Sequence, residues 1–208
     1  ESNGKISLKS LFESEEIVCT SDKTILDYTF FICRGGWPLS LGQKESVALR
    51  QAIDYVDSIV ESDISLGAGI PRDPTRVRAF MRSYARHVST RAKTTTIQND
   101  ILASLSTMDI NTLDRYLNDL RRIFVVEEME AWNPKLRSKT AVRTSVTRHF
   151  VDPSIATASL RAGPQDLLSD LKTMGLYFES LVIRDLRVYT DLMEGNIYHY
   201  RDASGLEC

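Results

Sequence analysis

At 208 residues, with 42% of them hydrophobic, the chain is long enough for one large domain or two small ones around a packed core. Lys and Arg (26) nearly balance Asp and Glu (28), which excludes a polycation that coats nucleic acid with its whole surface; any such contact must come from a patch. The longest apolar runs, such as "YTFFIC" from Tyr28, fall far short of the roughly 20 residues of a membrane helix. Three cysteines without CxxC spacing, behind no basic-then-apolar leader, fit a reducing, cytoplasmic setting. The chain begins at Glu1 rather than Met and stops at Cys208 as a strand begins, so a fragment of a longer protein is expected.

Asn3-Gly4 reads as a turn, and Ser7 as an N-cap for a short helix carrying Leu8, Leu11 and Phe12. A second helix in "DKTILDYTFFICRGGWP" is closed by Gly35, Gly36 and Pro38. Leu49, Ile53, Val56, Ile59 and Val60 recur with a 3.6 period, which predicts a helix over 43–63. "SLGAGIPRDPT", residues 65–75, reads as a loop and as the first domain boundary. Asp73 then caps a helix with Pro74 in its first position. Along that helix Val77, Phe80, Met81, Tyr84, Ala85 and Val88 form one apolar stripe, while Arg78, Arg82 and Arg86 repeat every four residues on the far side. That row is either a solvated face or a surface for a nucleic acid or another partner.

Residues 96–105, with Ile97, Ile101, Leu102 and Leu105 inward, and 109–122, with Leu113, Tyr116, Leu117 and Leu120 inward, read as helix, tight turn, helix. "IFVVEEMEAW" and "RHFVD" then carry the β-branched and aromatic bias of strands. Around their junction Lys135, Arg137, Lys139, Arg143 and Arg148 stand without an acidic residue from 131 to 151. This is the order of a winged helix, in which the wing cations would sit against phosphates and release counterions. Against DNA reading, Asp109, Asp114 and Asp119 balance Arg115, Arg121 and Arg122 on the second helix. Such a unit also serves as a protein-packing module, and both uses stay open here. Pro164 opens a long amphipathic helix, expected to bend near Met174-Gly175, and "GNIYHYRD" alternates as a strand after a Gly195-Asn196 turn.

The pattern of residues yields no catalytic, cofactor or metal site. No glycine-rich loop is followed by the Lys-Ser or Lys-Thr pair that a phosphate-binding loop requires. His87, His149 and His199 are far apart and lack zinc spacing; the last two lie in alternating segments and read as structural.

The segments "AWNPKLRSKTAVRTSVTRHFVDPSIATASL", "LLSDLKTMGLYFESLVIRDLRVY" and "YHYRDASGLEC", with "ESNGKISLKSLF" and "FICRGGWP" before them, resemble a known family. It is the C-terminal region of bacterial and archaeal AAA-type P-loop ATPases that carries the domain of unknown function 4143. The resemblance implies an α+β, mostly helical fold: an ATPase lid remnant over 1–68, a helical and winged-helix-like domain over 69–160, and the start of a restriction-endonuclease-like domain over 161–208. It implies a parent ATPase that uses ATP and magnesium, with no cofactor in this fragment. Glu179 in "YFES" would match the nuclease-fold helix glutamate, but its strand aspartate and Glu-x-Lys would follow Cys208, and one carboxylate cannot hold magnesium. The expected role is a non-catalytic binding or regulatory region contacting DNA, the ATPase domain or another protein, with no membrane partner. The alternatives are a share in a metal-dependent nuclease and a protein-docking module of the ATPase.

Overall fold

The computed structural model describes residues 7–13, 20–105, 107–132 and 145–200. The fold is mostly helical. Ser7 caps α1 (Leu8–Phe12) by accepting from Ser10 N. α2 (Ile25–Arg34) starts with a reciprocal capping box between Thr24 and Asp27 and ends at Gly35, whose φ of 75° favours glycine. A Cβ on Gly35 would also lie 2.6 Å from Asp152 Oδ1, so the turn closes only with glycine.

The helix expected over 43–63 is longer. It comprises α3 (Glu45–Ser58), a π-helical turn (Ile59–Asp63) and α4 (Ile64–Ala68), and the loop begins only at Gly69 (φ 70°). The wide turn lets Ile59, Val60 and Ile64 all reach the core. Ser58 Oγ donates to Asp63 Oδ2 (2.9 Å) and Ser62 Oγ to the Ser58 carbonyl (3.0 Å), bonds that steady the turn from outside.

α5 (Pro74–Ala85) follows with Asp73 Oδ1 capping Thr75 N at 2.8 Å. Val77, Phe80, Met81, Tyr84, Ala85 and Val88 are all buried, as their spacing predicts. α6 (Thr94–Leu102) and α7 (Ile110–Arg122) form the anticipated helical pair, with Ile97, Ile101, Leu113, Tyr116, Leu117 and Leu120 inward, whereas Leu102, expected inward, is exposed and Leu105 lies past the end of α6, half-buried. The strand-like segments do not build ladders: among the described residues they meet in isolated bridges, Val126 with Phe150 and Met129 with Thr147 antiparallel, and Ala131 with His199 parallel.

α8 (Pro153–Leu160) is the centre of the molecule. Every residue from Pro153 to Ser159 is buried, and the small side chains of Ser154, Ala156, Ala158 and Ser159 let α2, α3, α5 and the last helix pack directly on it. Asp152 ties this centre together: Oδ1 accepts from Ser154 N (2.8 Å), while Oδ2 accepts from Gly36 N (2.9 Å) and Arg184 Nη1 (2.8 Å). The single helix expected from Pro164 is two, α9 (Pro164–Ser169) and α10 (Leu171–Asp191). Their break lies at Asp170 rather than near Gly175, because the Asp170 side chain accepts from Thr173 N and its hydroxyl and so caps a new helix. One cluster of buried side chains runs from Ile32 to Leu181, across both expected boundaries at 68/69 and 160/161. Among the described residues no helix is long and apolar enough to cross a membrane.

Candidate functional site

The arginine row of α5 opens into a cleft of about 730 Å³ between the π-turn, α5, the end of α6 and the end of α8. Val56, Val60, Met81, Leu105 and Leu160 supply apolar wall, and Ala79, Ala103 and Ala158 keep the space open. Arg78, Arg82, Arg86 and Arg161 face Glu61 and Asp100 on the lining, so arginines outnumber carboxylates by four to two. Like charges one helical turn apart repel by a few tenths of a kcal/mol, and the acids that offset this row come from other elements rather than from α5 itself.

The four cations differ in how they are held. Arg78 is committed: Nη1 donates to Asp57 Oδ1 at 2.7 Å and Nη2 to Glu61 Oε1 at 3.1 Å. Its bond to Asp57, helped by Arg161, holds that carboxyl below the usual carboxylate range. Arg161 Nη2 meets the same Asp57 oxygen at 3.1 Å. Arg86 stands 3.8 Å from Asp100, whose Oδ2 is taken at 3.0 Å by His87. Arg82 is exposed and has no acidic partner among the described residues. The serine hydroxyls of the lining are engaged by backbone carbonyls, Ser83 by Ile97 (3.2 Å), Ser104 by Ile101 (3.0 Å) and Ser159 by Ile155 (2.7 Å). What the lining offers a ligand is cationic donors over an apolar wall.

Sequence reasoning found three of these arginines and missed the fourth. Arg161 ends α8 with φ 57°, a left-handed conformation that costs a non-glycine residue about 1–2 kcal/mol. No local pattern joins it to a row 75 residues earlier, and the acids that meet them, Asp57 and Glu61, come from the last turn of α3 and from the π-turn after it. The other expected binding residues fall elsewhere. Lys135, Arg137, Lys139 and Arg143 lie outside the described residues. Arg148 is not a surface cation: it is 6% exposed, ion-paired with Glu128, and donates from Nε to the Ala92 carbonyl at 2.8 Å. Its place in an extended segment packed on the core turns it inward. Asp119, counted as an acid opposing DNA on α7, is also turned inward, where Arg72 Nη2 holds it at 2.6 Å. Glu179 is exposed on α10, and among the described residues no group of three acidic, histidine or cysteine side chains could hold a metal. Cys33 is buried, and burial pushes its thiol up to about 12.

A family model described as "Domain of unknown function (DUF8612)" matches residues 25–166. No curated protein and no solved structure matches the chain. The resemblance read from the sequence is thereby corrected: the matching family is a different domain of unknown function, and nothing supports kinship to AAA-type ATPases or the parent inferred from it.

Proposed function

The chain belongs to the family DUF8612, a domain of unknown function, and from the geometry of its cationic surfaces we propose that it is a non-catalytic module that binds nucleic acid through phosphate contacts. The observation that carries this reading is the pair Arg82 and Arg86, exposed one helical turn apart at a cleft where arginines exceed carboxylates. Guanidinium groups pair with phosphate oxygens in a fork geometry, and each neutralised phosphate releases counterions. One further feature supports it. The α6–turn–α7 pair, followed by antiparallel extended segments, is the order of a winged helix, with Lys135, Arg137, Lys139 and Arg143 in the connection. On the exposed side of α7, with Asp119 turned inward and Arg121 ion-paired to Glu128, Arg115 and Arg122 balance Asp109 and Asp114. Contact in this reading is to the backbone and positions the module without reading bases.

The test is binding of single-stranded and duplex DNA and RNA as a function of salt. The affinity is expected to fall linearly on a log–log plot, and Arg82→Glu with Arg86→Glu should flatten the slope by about 2. Reversal of Lys135, Arg137, Lys139 and Arg143 should flatten it further. An unchanged melting temperature in both variants separates lost binding from lost fold. Absence of binding at low salt would sink the reading, and an unchanged slope in the double variant would remove the α5 row from it.

A further inference from the structure

Resting on the nucleic-acid reading for the class of ligand, we propose that the cleft holds a single nucleotide with a phosphate monoester, either free or at the end of a strand. Shape is the first reason. The arginines of α5 and the end of α8 border a half-open cleft of about 730 Å³, with Arg82 and Arg86 exposed on its lining. That volume is of the size that takes one small ligand. A nucleotide inside a strand must leave such a cleft in two directions, whereas a terminal one leaves in one.

Charge is the second. A phosphate monoester carries more than one negative charge at neutral pH, and its three terminal oxygens suit several guanidinium forks at once. The structure already displays how two of those forks share an oxyanion: Arg78 and Arg161, 83 positions apart in the chain, meet on the one oxygen Asp57 Oδ1 at 2.7 and 3.1 Å. Asp57 stands where it organises this pair, and Arg82 and Arg86 are left to the incoming phosphate. The left-handed backbone of Arg161 points the same way. Glycine would occupy that helix end without strain, whereas here an arginine stands there and its guanidinium reaches Asp57 beside the cleft. The accessible apolar side chains of the lining, Ala79, Ala103, Leu105 and Leu160, provide a surface for the base and sugar, which inorganic phosphate could not use.

Calorimetric titration at low salt with adenosine 5′-monophosphate, adenosine and inorganic phosphate tests the proposal, beside oligonucleotides with and without a 5′-phosphate. The monophosphate should bind at least ten-fold more tightly than either adenosine or phosphate, and Arg82→Gln should abolish that preference. Arg161→Gly should weaken binding several-fold while the melting temperature holds or rises, because glycine relieves the left-handed strain; this separates lost contact from lost fold. Monophosphate binding no tighter than that of adenosine, or unaffected by Arg82→Gln and Arg161→Gly, would overturn the proposal. Strands that bind with a steep salt slope regardless of a terminal phosphate, with no monophosphate bound, would remove the cleft site and leave the nucleic-acid reading standing. Monophosphate bound with no strand bound would do the reverse.

Discussion

His149 is wholly buried, with Nε2 unbonded among the described residues and Nδ1 3.4 Å from Ser180 Oγ. Burial, reinforced by Arg187 and His199 nearby, drives its imidazole down to about 3. The unfolded chain takes up this proton near pH 6.5, so between those values the unfolded state binds more protons and stability rises with pH. Denaturant melts should lose about 2 kcal/mol between pH 8 and pH 5, and His149→Gln should flatten the profile. A flat wild-type profile over that range would refute the assignment. The alternation of "RHFVD" marked an extended segment with a structural histidine, and that much was legible. Whether Arg148 faced water or Glu128 was not, because alternation gives parity along a segment while the side that is covered depends on what packs there.

Among the elements, the capped ones could be read directly: Ser7, Asp73 and the Pro74 that follows announce α1 and α5 because their hydrogen bonds are local. The end of α4 could not. Gly67 reads as a stop, yet it sits inside the helix because Ile123, beyond the end of α7, packs against it, and a Cβ there would collide with Ile123 Cγ2. Gly175, inside α10, faces open space, with nothing within 4 Å of the point a Cβ would occupy. The two glycines should therefore respond with opposite signs. Gly175→Ala should stabilise by up to about 1 kcal/mol through helix propensity, while Gly67→Ala should destabilise by about 1–3 kcal/mol through overpacking. Chemical denaturation of both variants checks this, and stabilisation by Gly67→Ala would mean the Ile123 contact is not held. The break at Asp170 had a readable signal in the Asp-x-x-Thr spacing, but the apolar period running through it masked it.

Among the described residues one core runs from Ile32 to Leu181, so their unfolding should be one event. Fluorescence of Trp37, packed on Tyr55 at 4.7 Å, and of Trp132, against Tyr200 at 5.7 Å, should report the same midpoint as far-UV circular dichroism. Two separated transitions would show independent units. The candidate site was half legible for the same reason that the core is single. A row on one helix leaves a periodic trace in the sequence, whereas a cleft between four elements does not.

The buried helix α8 also sets a schedule. It occupies residues 153–160, late in the chain, yet it is the surface on which α2, α3 and α5 close. During synthesis the earlier helices therefore emerge with Ile32, Val56 and Phe80 waiting for a partner not yet made. Contacts of such long sequence separation slow the closing step. The nascent chain consequently carries those apolar faces without their partner until Pro153–Leu160, a run of mostly small side chains, has been made.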